Sequence, residues 1–393
     1  MIEQVKGTNN ISNELSKKYF AFQKSFIENF SNYGYEFVIT PTIEHAELFQ
    51  KSIGEYSEIV TKQMYQFKDK AGRDIVLRPE GTSSFVRYHA QFNKDLTNKY
   101  IYFGQMFRYE NPQKNRYREF TQAGAEIIGN IDKFSDFQII NDSANFLNQL
   151  NVQFTLNINT IGSIIDREKY VKELYKFFKM NYEKLSKESQ EKLENNTLRI
   201  LDSNVEADLN IIKNAPNIYD FLSKESIENF NELLRLLDVK NIQYKKNERL
   251  VRGLDYYNDL TFEFISKQGV VIGGGGRYDK LSEILQIGNF KGVGVAFGVE
   301  RILDLVDLNE SSNKYFLIGT NIEKMIEYSK KLDLLNIPYN KPSRLSKINS
   351  QFKEAKTNNF QYVINSDEDT IKNLVDNTTI EFSEKELLWI LKN

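Results

Sequence analysis

The chain has 393 residues, 40% of them apolar and 13% aromatic, which suits roughly two to three domains with full cores and excludes a globally disordered protein. A net charge of −2 gives no global attraction to a polyanion, so any nucleic-acid binding has to come from local groups of Lys and Arg. Cysteine is absent, and the two histidines, His45 and His89, stand outside any H-E-x-x-H or Ser/His/Asp setting; disulfides, thiolate chemistry, zincin and serine-hydrolase mechanisms are thereby excluded.

MIEQVKGTNN lacks a basic-then-apolar signal, and no apolar run approaches a membrane span. The expectation is a soluble cytoplasmic protein. Leu15, Tyr19, Phe22, Phe26 and Phe30 recur at three- and four-residue spacing, which predicts a helix over 12–32, capped by Ser12 and ended by Gly34. YEFVITP then reads as a strand stopped by Pro41. IVTKQMYQFKDKAGRDIVLRPEGT reads as a hairpin turning at Lys70-Ala71-Gly72, followed by a loop at Pro79 to Thr82.

From Tyr100 to Ile128 the pattern is strand, polar tip, strand. The run FRYENPQKNRYREFTQAGAE, 107–126, holds three arginines, a lysine and three glutamates. Alternation puts Arg118, Phe120, Gln122, Gly124 and Glu126 on one face of the second strand, with Arg108 on the strand opposite. A solvent-facing ribbon with cross-strand ion pairs is the plain account. The ladder of unlike polar groups interrupted by glycine points instead to a binding floor, where charges meet a ligand.

Between about 166 and 245, Lys/Glu-rich amphipathic stretches such as YVKELYKFFKMNYEKL predict a helical insertion. LVRGLDYYNDLTFEF brings Arg252, Asp255, Tyr256 and Tyr257 into a strand that alternates Phe262 and Phe264 with Glu263. GGGGRYD, 273–279, would suit close approach of a ligand or a tight turn at a sheet edge. It fails the dinucleotide fingerprint at Tyr278, and no Gly-Lys dipeptide exists for a Walker A loop. GVGVAFGVERI runs from a strand into a helix with Arg301 near its start, a costly place for a cation unless an anion sits there. After about Ser311, strand and helix alternate through to a last helix holding Trp389, which predicts a small α/β unit with a mostly parallel sheet.

In this order the segments resemble the class II aminoacyl-tRNA synthetases, specifically the histidyl-tRNA synthetase family. YEFVITP, FRYENPQKNRYREF and GVGVAFGVERI look like the three class II motifs, and RPEGT, RGLDYYN, GGGGRYD and LRILDSN like segments of the histidyl branch. The resemblance implies an α+β catalytic domain over 1–310, with a central mostly antiparallel sheet flanked by helices and the insertion within it. It also implies a small C-terminal α/β anticodon-binding-like domain over 314–393.

The implied activity is histidine–tRNA ligation: ATP activates L-histidine to histidyl-adenylate, which passes to tRNA(His), in a homodimer. Arg108 would bridge the histidine carboxylate and the α-phosphate, and Arg252 would stabilise charge there. Glu80, Gly81, Thr82, Gln122, Glu126, Tyr256 and Tyr257, together with Arg108 and Arg252, would hold histidine. Glu110, Arg116, Phe120 and Arg301 would join Arg108 in holding ATP, and Gln113 at the hairpin tip would meet the tRNA. Mg²⁺ is expected with ATP, without assignable ligands.

In-line attack by a carboxylate on a phosphorus ringed by oxygens needs positive forks more than a protein nucleophile. Three positions depart from the family pattern: Thr121 where histidine is usual, Asn115 where glycine is usual, and Asn10 where an acid is usual. The competing function is a non-catalytic regulatory subunit of ATP phosphoribosyltransferase, a class that tends to lose the ATP-handling arginines that this chain retains.

Overall fold

The computed structural model describes residues 2–55, 57–93, 95–251, 254, 256–308 and 314–383. Arg252, Asp255 and the expected last helix with Trp389 lie outside the described residues. The chain divides into two compact units, Met1–Leu308 and Asn309–Asn393.

The first unit opens with α1 (Asn13–Asn32), whose residues Tyr19, Phe22, Phe26 and Phe30 are buried, while Leu15 is exposed. Ser12 occupies the N-cap without a side-chain bond, and Gly34 at φ +80° closes the other end. Strand β1 (Glu36–Phe37) is the only ladder in YEFVITP, because Pro41 follows and the segment sits at a sheet edge. Strands β2 (Ile43–His45), β3 (Tyr65–Lys68) and β4 (Asp74–Leu77) form a small sheet in the order β2-β4-β3. The expected hairpin turn at 70–72 lies between β3 and β4. The stretch before it, Ile59–Gln63, is a π-helical turn rather than strand. Helices α2 (Ala46–Ile53) and α3 (Thr82–Phe92) flank these strands.

The main sheet adds β5 (Asn98–Phe107), β6 (Glu119–Gly129), β7 (Phe154–Thr160), β8 (Tyr244–Lys246), β9 (Asn258–Ser266), β10 (Val271–Arg277) and β11 (Lys291–Gly298). Its order is β1-β5-β6-β11-β10-β9-β7-β8, antiparallel except at the two outer pairs, β1–β5 and β7–β8. The glycine run therefore belongs to an interior strand and is not a turn at an edge. Gly275 packs so closely on the Gly294 backbone that a Cβ there would overlap it.

Alternation along β6 divides the sheet into two faces. Ala123, Ala125 and Ile127 are buried on one face, in a core shared with α1 and with α4 (Lys133–Gln149). Rings pack that face: Phe146 of α4 meets Phe22, Phe26 and Phe30 at centroid separations of 5.4, 5.3 and 5.8 Å. Such offset and edge contacts add to the burial term. The other face carries Tyr100, Tyr102 and Met106 and, as shown below, the polar residues of β6.

The insertion contains α5 (Ile164–Met180), α6 (Lys187–Asn195), α7 (Glu206–Ile212) and α8 (Lys224–Val239), with LRILD wound into a 3-10 turn. It is not autonomous, since Phe230, Leu233, Leu234 and Leu237 of α8 complete the core behind the sheet. Buried Asp208 ties its loops together, accepting from the hydroxyls of Ser186, Ser189 and Ser203 at 2.6–2.7 Å. Short helices α9 (Leu281–Ile284) and α10 (Val299–Leu303) finish the unit.

The second unit holds β12 (Tyr315–Ile318), α11 (Ile322–Leu334), β13 (Tyr339–Asn340), α12 (Ile348–Thr357), β14 (Tyr362–Asn365), β15 (Thr370–Asn373) and β16 (Thr379–Glu381), in the sheet order β13-β12-β14-β15-β16. Its core lies on both faces of the sheet. Two pairings are parallel, and the last two are antiparallel. The expected mostly parallel sheet is thus half realised. Residues 366–369 turn the chain straight back into β15.

Candidate active site

The floor of the site is the β5–β6 pair. Register sets Tyr102 opposite Gly124, Gly104 opposite Gln122 and Met106 opposite Phe120. A side chain at 124 would overlap the Tyr102 ring, and so would one at 81; the two glycines form the slot in which that ring lies. RPEGT supplies the rim. Glu80 accepts from the backbone N–H groups of Thr82 (2.6 Å) and Ser83 (2.9 Å), so a buried carboxylate caps the start of α3, where the helix dipole favours it. Arg78 of the same segment is consumed structurally, donating to the carbonyls of Gln105 and Thr40.

Deeper in, Glu126 is 1% exposed and accepts two hydroxyl protons, from Thr82 at 2.8 Å and from Tyr278 at 2.6 Å. Burial pushes its carboxyl up to about 8; the two hydroxyls pull the other way and nearby Glu80 adds to the rise. Glu126 is therefore not left unpaired, contrary to the expectation from the charged run.

The other end of the cavity is guanidinium-lined. Arg108 donates through Nε to the Pro79 carbonyl at 2.8 Å and lies 5.3 Å from the Phe120 ring centroid. Arg116 pairs with Glu110. Arg301, in α10, donates to the carbonyls of Val271 (2.7 Å) and Asn115 (3.4 Å). Burial, and then repulsion from Arg116, pulls the Arg301 guanidinium below its usual value. Two backbone carbonyls thus relieve the helix-start cation that the sequence left unexplained.

Asn115 stands at φ +58° and donates to Asp304 at 2.7 Å, pinning the hairpin tip. Gln113 sits exposed at that tip, bridged to Arg116. Arg118 departs from the expected face: it lies 3.7 Å over the Tyr109 ring, and its Nε bonds the Glu110 carbonyl.

These groups line one cavity of about 440 Å³ that takes in Glu80, Thr82, Gln122, Tyr256 and Tyr257 at one end and Arg108, Glu110, Arg116, Phe120 and Arg301 at the other. That size and polarity suit a small-molecule site.

Residues 7–302 match the family model described as histidyl-tRNA synthetase. The histidine–tRNA ligase of Nitratiruptor sp. is 36% identical over 99% of this chain and 95% of its own length, and that of Mycoplasmopsis pulmonis is 38% identical over 82% and 80%. The chain belongs to the histidyl-tRNA synthetase family.

The crystal structure of the apo histidyl-tRNA synthetase of S. aureus superposes with a TM-score of 0.79 at 29% identity, covering 100% of both chains. An ATP phosphoribosyltransferase regulatory subunit/histidyl-tRNA synthetase from Bacillus halodurans C shares the fold at a TM-score of 0.67 and 20% identity.

Within this synthetase fold, the described site residues expected from the sequence fall in the cavity lining, except Gly81, which sits beneath the Tyr102 ring, Glu126, buried just behind Thr82 and Tyr278, and Gln113 at the tip. Sequence reasoning passed over Tyr102, Glu263 and Tyr278, all of which line the cavity. Glu263 was detectable, since it alternates with Phe262 and Phe264, which are fully buried in the opposite core. Tyr278 was seen only as the residue that spoils a dinucleotide motif. Thr121 faces away, held by the Tyr19 hydroxyl at 3.3 Å and, through its backbone, by Glu300; its departure from the family pattern does not touch the cavity.

Proposed function

We propose that the cavity carries out the ATP-dependent activation of L-histidine that family membership indicates, with histidyl-adenylate passing on to tRNA(His). The observation that carries this reading is the make-up of the lining: Arg108, Arg116 and Arg301 share it with Glu80, Thr82 and Gln122, and buried Glu126 stands directly behind it, held by Thr82 and Tyr278 of the lining. A zwitterionic amino acid with a ring N–H fits the acidic end, and a polyphosphate fits the basic end.

In this reading Arg108 stands where the two substrates meet. Its Nη groups are the fork that would grip the histidine carboxylate and an α-phosphate oxygen, cancelling the repulsion between two anions. Phe120, already under a guanidinium, offers its face to adenine; Glu110 and Arg116 flank the nucleotide, and Arg301 covers it from α10. Glu80 takes the ammonium, and Glu126 with a tyrosine hydroxyl takes the imidazole. A substrate lacking a ring N–H would leave Glu126 without its ligand partner, the type of mismatch that discriminates by roughly 10⁴–10⁵.

Arg252 is assigned to the α-phosphate by resemblance. Mg²⁺ would enter with the phosphates: among the described residues no group of three His, Asp or Glu could hold an ion, and Mg²⁺ habitually leans on phosphate oxygens. Gln113 would meet the acceptor end of the tRNA, and the second unit its anticodon region. A homodimer built on YEFVITP is part of the proposal, supported by Ile39 and Ile43, 78% and 51% exposed in the single chain. No described helix is long and apolar enough to cross a membrane, in keeping with a cytoplasmic setting.

The deciding experiment is histidine-dependent exchange of pyrophosphate into ATP. Exchange with histidine and not with glutamine is expected; its absence from pure folded protein would sink the assignment.

A further inference from the structure

We propose that Tyr278 is a positioning residue of the amino-acid end of the cavity: its hydroxyl proton fixes Glu126 as a hydrogen-bond acceptor, the state in which that carboxylate takes an N–H from the substrate ring. The inference rests on the reading above, in which Glu126 faces imidazole.

The geometry begins in β11. A Cβ at 292 would overlap the Tyr278 ring, so glycine there creates the seat for it, and the Tyr278 backbone N–H closes the seat by donating to the Gly292 carbonyl at 2.8 Å. The ring is 2% exposed, and its hydroxyl reaches Glu126 Oε2 at 2.6 Å. Thr82 holds the other oxygen at 2.8 Å. A hydroxyl has one proton to give. With both protons aimed at Glu126, the ionised carboxylate is satisfied on each oxygen and keeps spare lone pairs for a ligand. A protonated Glu126 has less use for two donors.

The groups around Glu126 make this proton matter. Glu80, at the entrance to α3, repels it, and burial disfavours its charge. Tyr102 from β5, Tyr256 from the segment before β9, and Tyr35 after α1 lie within electrostatic reach, and all three are neutral. Hydroxyl donors are what oppose the burial, and Tyr278 is one of two.

The test is calorimetric titration of L-histidine into the full chain between pH 6.5 and 9.5, for the parent and Tyr278→Phe, which keeps the ring and deletes the proton. Comparing variant with parent at each pH cancels the titrations of histidine itself. The expected result is about a tenfold affinity loss near pH 7 that shrinks steadily toward pH 9.5, as Glu126 ionises without help, with the KM for ATP in pyrophosphate exchange unmoved. A loss that stays constant with pH, or no loss at all, would overturn the proposal and leave the function intact.

A double-mutant cycle supplies the second readout: in a Glu126→Gln background, Tyr278→Phe should add little, and a full additive loss would count against action through Glu126. If Tyr278→Phe does not fold, Gly292→Ala, whose methyl group would push the Tyr278 ring from its seat, should give the same pH-dependent loss, and a loss that stays constant with pH would overturn the proposal. A parent that binds no histidine would bring down the functional reading and this inference together.

Discussion

Gly294 of β11 lies directly across the ladder from Glu126 of β6, and a methyl group at 294 would overlap Glu126 Oε2. The glycine is therefore part of the cavity end proposed to take histidine although it bears no functional group. Gly294→Ala would force the carboxylate aside. Overpacking of this kind costs about 1–3 kcal/mol, and we expect about a 10–100-fold rise in the KM for histidine with a much smaller change for ATP, read by pyrophosphate exchange.

Arg108 lines the guanidinium end of the cavity with Nε committed to the Pro79 carbonyl. Arg108→Ala should lower the exchange rate by about 10²–10³, the range for removing one preorganised donor at a developing charge. Arg108→Lys should recover little of it, because an ammonium cannot hold the carbonyl and present a planar fork together. Full activity in the lysine variant would contradict the bridging role.

Asn115 carries both the hairpin tip's left-handed backbone and its tie to Asp304. Two variants separate the contributions. Asn115→Gly removes the tie and keeps the backbone comfortable; Asn115→Ala removes the tie and adds left-handed strain of about 1–2 kcal/mol. The alanine variant should show the higher KM for ATP, with that for histidine nearly constant in both. Equal behaviour would mean that strain at 115 is not felt at the site.

Glu126 also sets a pH dependence of stability. Its carboxyl is raised from about 4.5 in the unfolded chain to about 8 in the folded one, chiefly by burial. The folded state holds this proton more tightly than the unfolded one, so the contribution is most favourable below the unfolded value and is lost as pH rises from about 4.5 through about 8. Glu126→Gln removes the titration. Its melting temperature should fall less than the parent's between pH 5 and pH 8.5, and parallel curves would show that the group does not titrate in that window.

Behind the sheet, Phe146 touches four other rings, Phe22, Phe26, Phe30 and Phe297. Phe146→Ala should cost about 3–5 kcal/mol of stability, visible in urea titration, without altering either substrate's KM in the fraction that remains folded.

Much of the site was legible because β-strand periodicity is rigid. Once the stretch leading to Ile128 is read as a strand, Phe120, Gln122 and Glu126 have to share a face, and they do. Arg118 escaped because it precedes the ladder and obeys its aromatic neighbour Tyr109 instead of the pleat. The glycine run was ambiguous for a tertiary reason: Gly273 to Gly276 look like a turn until β9 and β11 are seen on either side, which local sequence cannot announce. The pairing of Arg116 with Glu110 and the hydroxyls on Glu126 were hidden too, since each depends on side-chain placement within a cavity formed by distant segments. In the second unit, β15 and β16 went unforeseen because short polar strands such as 370–373 and 379–381 carry little hydrophobic period of their own.

The anchoring of Arg108 and Arg301 on peptide oxygens has a last consequence. Both guanidiniums are held by the scaffold itself, so in the proposed site a phosphate would meet cations whose rotameric freedom is already spent. Little of the association energy would then go into ordering the protein, and the geometry at the reacting phosphorus would be inherited from the fold instead of being assembled around each new guest.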